Sequence, residues 1–258
     1  MVLRGYRGTD VPVSSRIRTE PRSHPGVANL PGGCASCSLR RGCLSRDLAP
    51  NDLETFSAIA RLRRKVGHGG TLFGTGDPLT AVYVVRSGTF KSVSVSREGH
   101  PKITGFYLPG DVMGLHAIAD GVCGFDAIAL EDSEVCVLPI HHLESTASTM
   151  PGLQKQLIRT LSRAISRDHR LLLLGCMDAE HRVARLLLNL AERYQRLGYA
   201  GDALLLHMTR DDIASYLCLS SETVSRVMSR LQRKGLLTVH QRHIEFADPS
   251  RLAEACAW

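Results

Sequence analysis

The chain has 258 residues, enough at about 150 per domain for two domains, and its apolar fraction of 43% permits sizeable cores. Lys and Arg outnumber Asp and Glu by 32 to 25, giving a net charge of +7 and a pI of about 9.1, which suits a polyanionic partner. No apolar run approaches the roughly 18 residues of a membrane span, "LLLLG" at 171–175 being the nearest, and residues 1–30 hold no signal-peptide core; a cytoplasmic protein without a membrane is expected.

Residues 1–30 mix Arg, Ser, Pro and Gly without periodicity, the composition of a disordered arm. The segment "GCASCSLRRGC" (33–43) then sets Cys34, Cys37 and Cys43 with two and five residues between them. In a reducing compartment, clustered thiols serve metal binding or redox chemistry more often than disulfides. Thiolates hold zinc and iron–sulfur clusters alike. This spacing matches neither the usual zinc knuckles nor common ferredoxin runs, so the motif alone leaves the metal open, with three idle thiols as the bland alternative. A helix is expected over "NDLETFSAIARL", capped by Asn51 or Asp52.

From about 66 to 139, short apolar runs alternate with turn signals such as "GTGDP", "RSGT" and "LPGD". "AVYVV", "FKSVSVS", "ITGFYL" and "EVCVLP" read as strands of an antiparallel barrel or jelly roll. With the cysteine segment they make a domain over 31–149. Residues 150–175 turn to helical period. Ile158, Leu161, Ile165 and Leu172 recur at three- and four-residue steps, with Asp168 in the slot between the last two, the seam of a homodimer helix. Two copies of Asp168 facing each other there would oppose dimerisation.

The remaining stretch, 176–258, begins with a helix that stops at Gly198. In "MTRDDIASYLCLSSETVSRVMSRLQRKGL" (208–236), Thr209 and Asp212 form a capping-box pattern, "CLSS" supplies a turn in which Cys218 packs, and Ser220 caps a second helix. "LLTVH" and "HIEFA" add a hairpin, so the reading is a winged helix-turn-helix. Its second helix offers Ser221, Glu222, Ser225, Arg226 and Arg230 to base edges, and Arg210, Arg233 and Lys234 to phosphates. A plain surface pair of Glu222 with Arg226 is the bland alternative. The expected fold class is α+β: an N-terminal antiparallel β-barrel or jelly roll, a long helix, and a C-terminal winged helix-turn-helix.

These features together resemble the FNR branch of the CRP/FNR transcription-regulator family. "ETVSR" (222–226) is similar to that branch's E-x-x-S-R recognition signature, and "FGTGDP…YVVRSGTFKS…ITGFYLPGDVMG" to its barrel. The resemblance spans about 33–247 and implies that the barrel is a sensor domain and the long helix a dimerisation helix. It implies double-stranded DNA and RNA polymerase as partners, activation, and a palindrome with TTGAT-like half-sites read by Glu222, Ser225 and Arg226. It further implies an oxygen-labile 4Fe–4S cluster held by Cys34, Cys37, Cys43 and the distant Cys136 of "SEVCVLP". Two positions depart from the pattern: Gly42 stands where the family has an apolar residue, and Cys123 is an additional thiol.

Three rival readings remain beside this one. A family member with structural zinc or another ligand fits the same thiols. A cyclic-nucleotide regulator shares the barrel, but "GDVMG" and "GFDAIAL" offer Asp111 and Phe125–Asp126 with no Arg to pair a phosphate, so no cyclic nucleotide is expected. An iron–sulfur redox enzyme lacks any P-loop, dinucleotide fingerprint or nucleophile elbow to carry a substrate, so no catalytic residue is assigned.

Overall fold

The computed structural model describes residues 27–29 and 33–255. The arm expected over 1–30 lies outside them, save Val27–Asn29, which are not irregular: they form strand β1, antiparallel to β2 (Leu62–Val66), with Val27 opposite Arg64. Helix α1 (Pro50–Ile59) lies between these strands in sequence. Its N-cap is Ala49, not Asn51 or Asp52, because Pro50 supplies the fixed φ of a first helical residue and moves the start upstream. Asp52 then falls in the first turn, where a carboxylate favours the helix dipole.

Two antiparallel sheets follow. One has the order β1-β2-β9-β4-β7, with β4 (Ala81–Ser87), β7 (Val112–Met113) and β9 (Ser133–Pro139). The other runs β3-β8-β5-β6, with β3 (Thr71–Phe73), β5 (Phe90–Val95), β6 (Pro101–Tyr107) and β8 (Asp126–Ala129). Leu72, Phe90, Val85 and Val135 fill the space between them and are almost wholly buried. Burying side chains of this size contributes roughly 1.5–3 kcal/mol each. The jelly-roll expectation agrees with this topology.

Pro139 ends β9, and α2 (Ile140–Thr149) begins at once, a helix the sequence reading had not separated from the barrel. Met150 interrupts, and Pro151 at the first helical position starts α3 (Pro151–Leu174). Of its 24 residues α3 buries only Leu153 and Gln156. Asp178 caps α4 (Ala179–Arg196), accepting from the His181 amide. Beyond it lie β10 (Ala203–Leu205), α5 (Arg210–Leu217), α6 (Ser221–Arg233), β11 (Leu237–His240), β12 (His243–Phe246) and α7 (Pro249–Ala255). The three strands pair in the order β10-β12-β11 and form the wing.

Leu187 of α4, Ile213 of α5 and Val224 and Leu231 of α6 make the centre of the second core, each essentially inaccessible. Truncating one of these to Ala would cost about 2–5 kcal/mol. The same cluster takes in Val93, Ile103 and Phe106 from the barrel, so α5 is seated on β5 and β6. Lys91 Nζ bonds Asp212 Oδ1 at 2.6 Å, and the Ile103 amide donates to Ser215 Oγ at 3.1 Å across this contact. Among the described residues no helix is long and apolar enough to cross a membrane.

Candidate functional site

Cys34 to Cys43 follow two tight 3-10 turns, Cys34–Ser36 and Ser38–Gly42, in which Leu39 alone is buried. The segment is tied to α1 where the Cys34 amide donates to Ser57 Oγ at 3.0 Å. Cys136 comes from the middle of β9, opposite Arg63 of β2 on one side and Val84 of β4 on the other. Cys34, Cys37, Cys43 and Cys136 line one hollow of about 420 Å³, its open side included, with Phe56 and Leu138 in its apolar wall. Burial pushes the Cys34 and Cys43 thiols up, and pushes Cys136 up to about 12. For Cys34 and Cys136 the positive charges of Arg63 and Arg86 act against that burial, while neighbouring Cys side chains add to it.

The donor set fits a metal group. Four soft thiols around an apolar hollow suit iron–sulfur chemistry, and uptake of the metal would displace their protons. Among the described residues no three His, Cys, Asp or Glu converge closely enough to hold a single metal ion. A zinc ion needs its sulfurs at about 2.3 Å from one centre, whereas a four-iron cluster takes one thiolate at each iron, and four thiols are the donor set of either. Cys123 is elsewhere: it is buried in the barrel core, and burial pushes its thiol up to about 11. At Gly42 a Cβ would come within 2.6 Å of Leu197 Cδ2, so a larger residue there would have to displace the end of the Leu197 side chain just past α4.

The helix-turn-helix is built as its local sequence dictates. Thr209 and Asp212 close a reciprocal capping box on α5, and Ser220 caps α6 through the Thr223 amide. Cys218 does not pack inside the turn; it is exposed and ends α5 in the left-handed region, with a φ of 55°. Glu222 and Arg226 stand on the exposed face of α6, with side chains 80% and 68% accessible and 3.9 Å apart, so the bland surface pairing exists without hiding either group. Ser225 is exposed on the same helix, and Ser221 donates to Asp211. Arg230 and Lys234 both contact Glu180 at the start of α4, which the sequence reading missed. Arg233 is exposed beside them, and Arg210 lines a hollow between the start of α5 and the wing residues Gln241 and Arg242.

Along α3, Ile158, Leu161, Ile165 and Leu172 are 62%, 38%, 56% and 75% accessible, and the Asp168 side chain is 70% accessible. Among the described residues, nothing covers this seam. Inside the barrel, the His116 and Phe125 rings stack at 3.9 Å and Phe73 lies 5.7 Å from both Tyr83 and Phe125. Asp111 accepts from the Leu108 amide at 2.7 Å and pairs with Arg193 of α4.

Residues 181–255 match the family model described as a Crp-like helix-turn-helix domain, and residues 63–149 that of a cyclic nucleotide-binding domain. The chain is 40% identical over 216 residues to the transcriptional regulatory protein btr of Bordetella pertussis, covering 83% of this chain and 89% of that one. It is 38% identical to the anaerobic regulatory protein of Pasteurella multocida, covering 86% and 84% of the two chains. It is 37% identical to the fumarate and nitrate reduction regulatory protein of Escherichia coli, covering 86% and 91%. Among solved structures, FixK2 from Bradyrhizobium japonicum superposes with a TM-score of 0.69 at 29% identity, over 76% of this chain and 97% of that one.

Proposed function

The chain belongs to the CRP/FNR family of transcription regulators, with that family's DNA-binding helix-turn-helix, and from this premise we propose that it is an oxygen-responsive, anaerobic regulator in the cytoplasm. It binds a 4Fe–4S cluster through Cys34, Cys37, Cys43 and Cys136. With the cluster intact it dimerises along α3 and recruits RNA polymerase at a TTGAT-like palindrome. The domain division goes with this reading: a cysteine segment and sensor barrel over 31–149, a dimer helix over 150–175, and the DNA-binding unit over 176–258.

The observation that carries the reading is the gathering of four thiols from two distant segments around one hollow. When bound, the cluster supplies an oxygen-labile crosslink between the cysteine segment and β9. The residues do the rest. Without a crosslink the segment has one buried side chain and a few hydrogen bonds to hold it, so loss of the cluster releases it locally.

A second copy of the chain is the natural cover for the exposed seam of α3. In a parallel pair the two recognition helices stand one DNA turn apart, and Asp168 faces its counterpart. Glu222 and Arg226 reach base edges with Ser221 and Ser225 beside them, while Arg210, Arg230, Arg233 and Lys234 approach phosphates. No cyclic nucleotide is part of this reading. Asp111 is committed to Arg193 and Phe125 to His116, and neither supplies a cation for a phosphate.

Anaerobic purification followed by iron, sulfide and zinc counts tests the proposal. It predicts about four iron and four sulfide per chain. About one zinc and no sulfide would replace it with the structural-zinc alternative.

A further inference from the structure

A 4Fe–4S centre with four thiolates is an anion, and burying an anion without a counter-charge is costly. Among the described residues, the charged side chains lining the thiol hollow are Arg63 and Arg86, and Glu134 contacts both. Arg63, whose side chain is 6% accessible, lies on β2 directly opposite Cys136 and lines the hollow. Glu134 precedes Cys136 by two residues on β9 and so points to the same face of the strand. It meets Arg63 Nη1 at 3.8 Å and Arg86 Nε at 2.9 Å.

Arg86 has a particular backbone setting. In the β4–β9 pairing Val85 is opposite Val135 and Ser87 is opposite Glu134, so Arg86 is the extra residue of a bulge. Bulges turn a side chain off the regular alternation. Here the outcome is that Arg86 Nη1 donates toward Cys37 Sγ at 3.8 Å while its Nε holds the carboxylate. Arg86 thus brings one guanidinium to the rim of the hollow and Arg63 another to its wall, with the Glu134 carboxylate between them.

Resting on the cluster reading above, we propose that Arg86 and Arg63, held in place by Glu134, are positioning residues that set the charge balance of the cluster. The guanidiniums favour its more reduced, more negative state, and Glu134 tempers them. Nearby charge and hydrogen bonds to the sulfurs are what set such potentials. The two signs separate this role from mere packing. Loosening the hollow would move every variant the same way. A charge role requires loss of a cation and loss of the anion to move the potential in opposite directions.

The experiment is an anaerobic redox titration of wild type, Arg86→Gln, Arg86→Lys and Glu134→Gln, with iron and sulfide counted in each. Arg86→Gln should favour the oxidised form about tenfold, roughly 59 mV downward for a one-electron couple. Glu134→Gln should shift the equilibrium upward, and Arg86→Lys should fall between Arg86→Gln and wild type. Full clusters with unmoved potentials, or with both Gln variants shifted the same way, overturn this inference alone. A wild-type chain without iron and sulfide overturns the cluster reading and this inference with it.

Discussion

The cysteine segment and the reading head are built on opposite plans. From Thr209 to Lys234 nearly every demand is met locally: both helices carry side-chain caps, and Ile213, Val224 and Leu231 are fully buried. From Cys34 to Cys43 there are two 3-10 turns, one buried side chain, and a bond to Ser57. The first region carries its own caps and contributes its own buried side chains to a shared core. The second borrows its shape from α1 and β9, and thiols whose pKa burial pushes up line the gap between them. A sensor benefits from that difference, because only the poorly supported element can change state at low cost while the DNA-reading surface stays preformed.

The strongest way to break this comparison is to remove the far anchor. Cys136→Ser should abolish the cluster, read as loss of iron, sulfide and brown colour, while Cys123→Ser keeps all three. Retention in Cys136→Ser together with loss in Cys123→Ser would reverse the assignment. Next is the seam. In the proposed parallel pair, Asp168→Ala would remove two facing carboxylates whose repulsion and desolvation would amount to a few kcal/mol, about 2–4. The cluster-free variant should therefore sediment as a dimer where cluster-free wild type is monomeric; identical behaviour of the two removes the brake.

On the reading head, Arg226→Ala should cost about 1–3 kcal/mol in binding and relax specificity at one base-pair position. Lys234→Ala should weaken cognate and scrambled sites alike and lower the salt slope by about one. Equal losses on both sites for Arg226→Ala would make it a phosphate contact. The smallest effect lies where the two halves meet. Burial pushes the Asp212 carboxyl up, but the bonds from Lys91 and Thr209 outweigh it and hold it below the usual range. A depressed carboxylate contributes stability that is present above its unfolded pKa of about 3.9 and is lost as pH falls through the folded value. Lys91→Met should lower stability at pH 7 by about 1–3 kcal/mol and flatten the acid limb of the urea-midpoint-against-pH curve. An unchanged acid limb would mean that Lys91 does not hold Asp212.

Much of this was legible in the chain because it is local. Thr209, Asp212, Ser220 and Gly235 announce the helix-turn-helix through caps, and the short apolar runs in 81–87 and 133–139 announce strands. What escaped needs partners distant in sequence. "LRRKV" reads as polar surface, yet it is β2, with Arg63 buried because it faces Cys136. Arg86 gives no signal without the bulge that redirects it, and Glu180 meets Lys234 across 54 residues. Glu134 was the one visible hint, two positions from a candidate ligand on an alternating strand. Gly42, which departs from the family pattern, lies against the tip of Leu197, a neighbour 155 positions on.

The central claim is that the cluster controls DNA binding through dimerisation. The direct measurement is fluorescence anisotropy of a labelled TTGAT-like palindrome with one anaerobic sample, titrated before and after exposure to air. The account predicts tight, salt-sensitive binding before air and at least about tenfold weaker binding afterwards, about 1.4 kcal/mol, in step with loss of the cluster absorption. Equal affinity in the two titrations, with the cluster gone from the second, would contradict it.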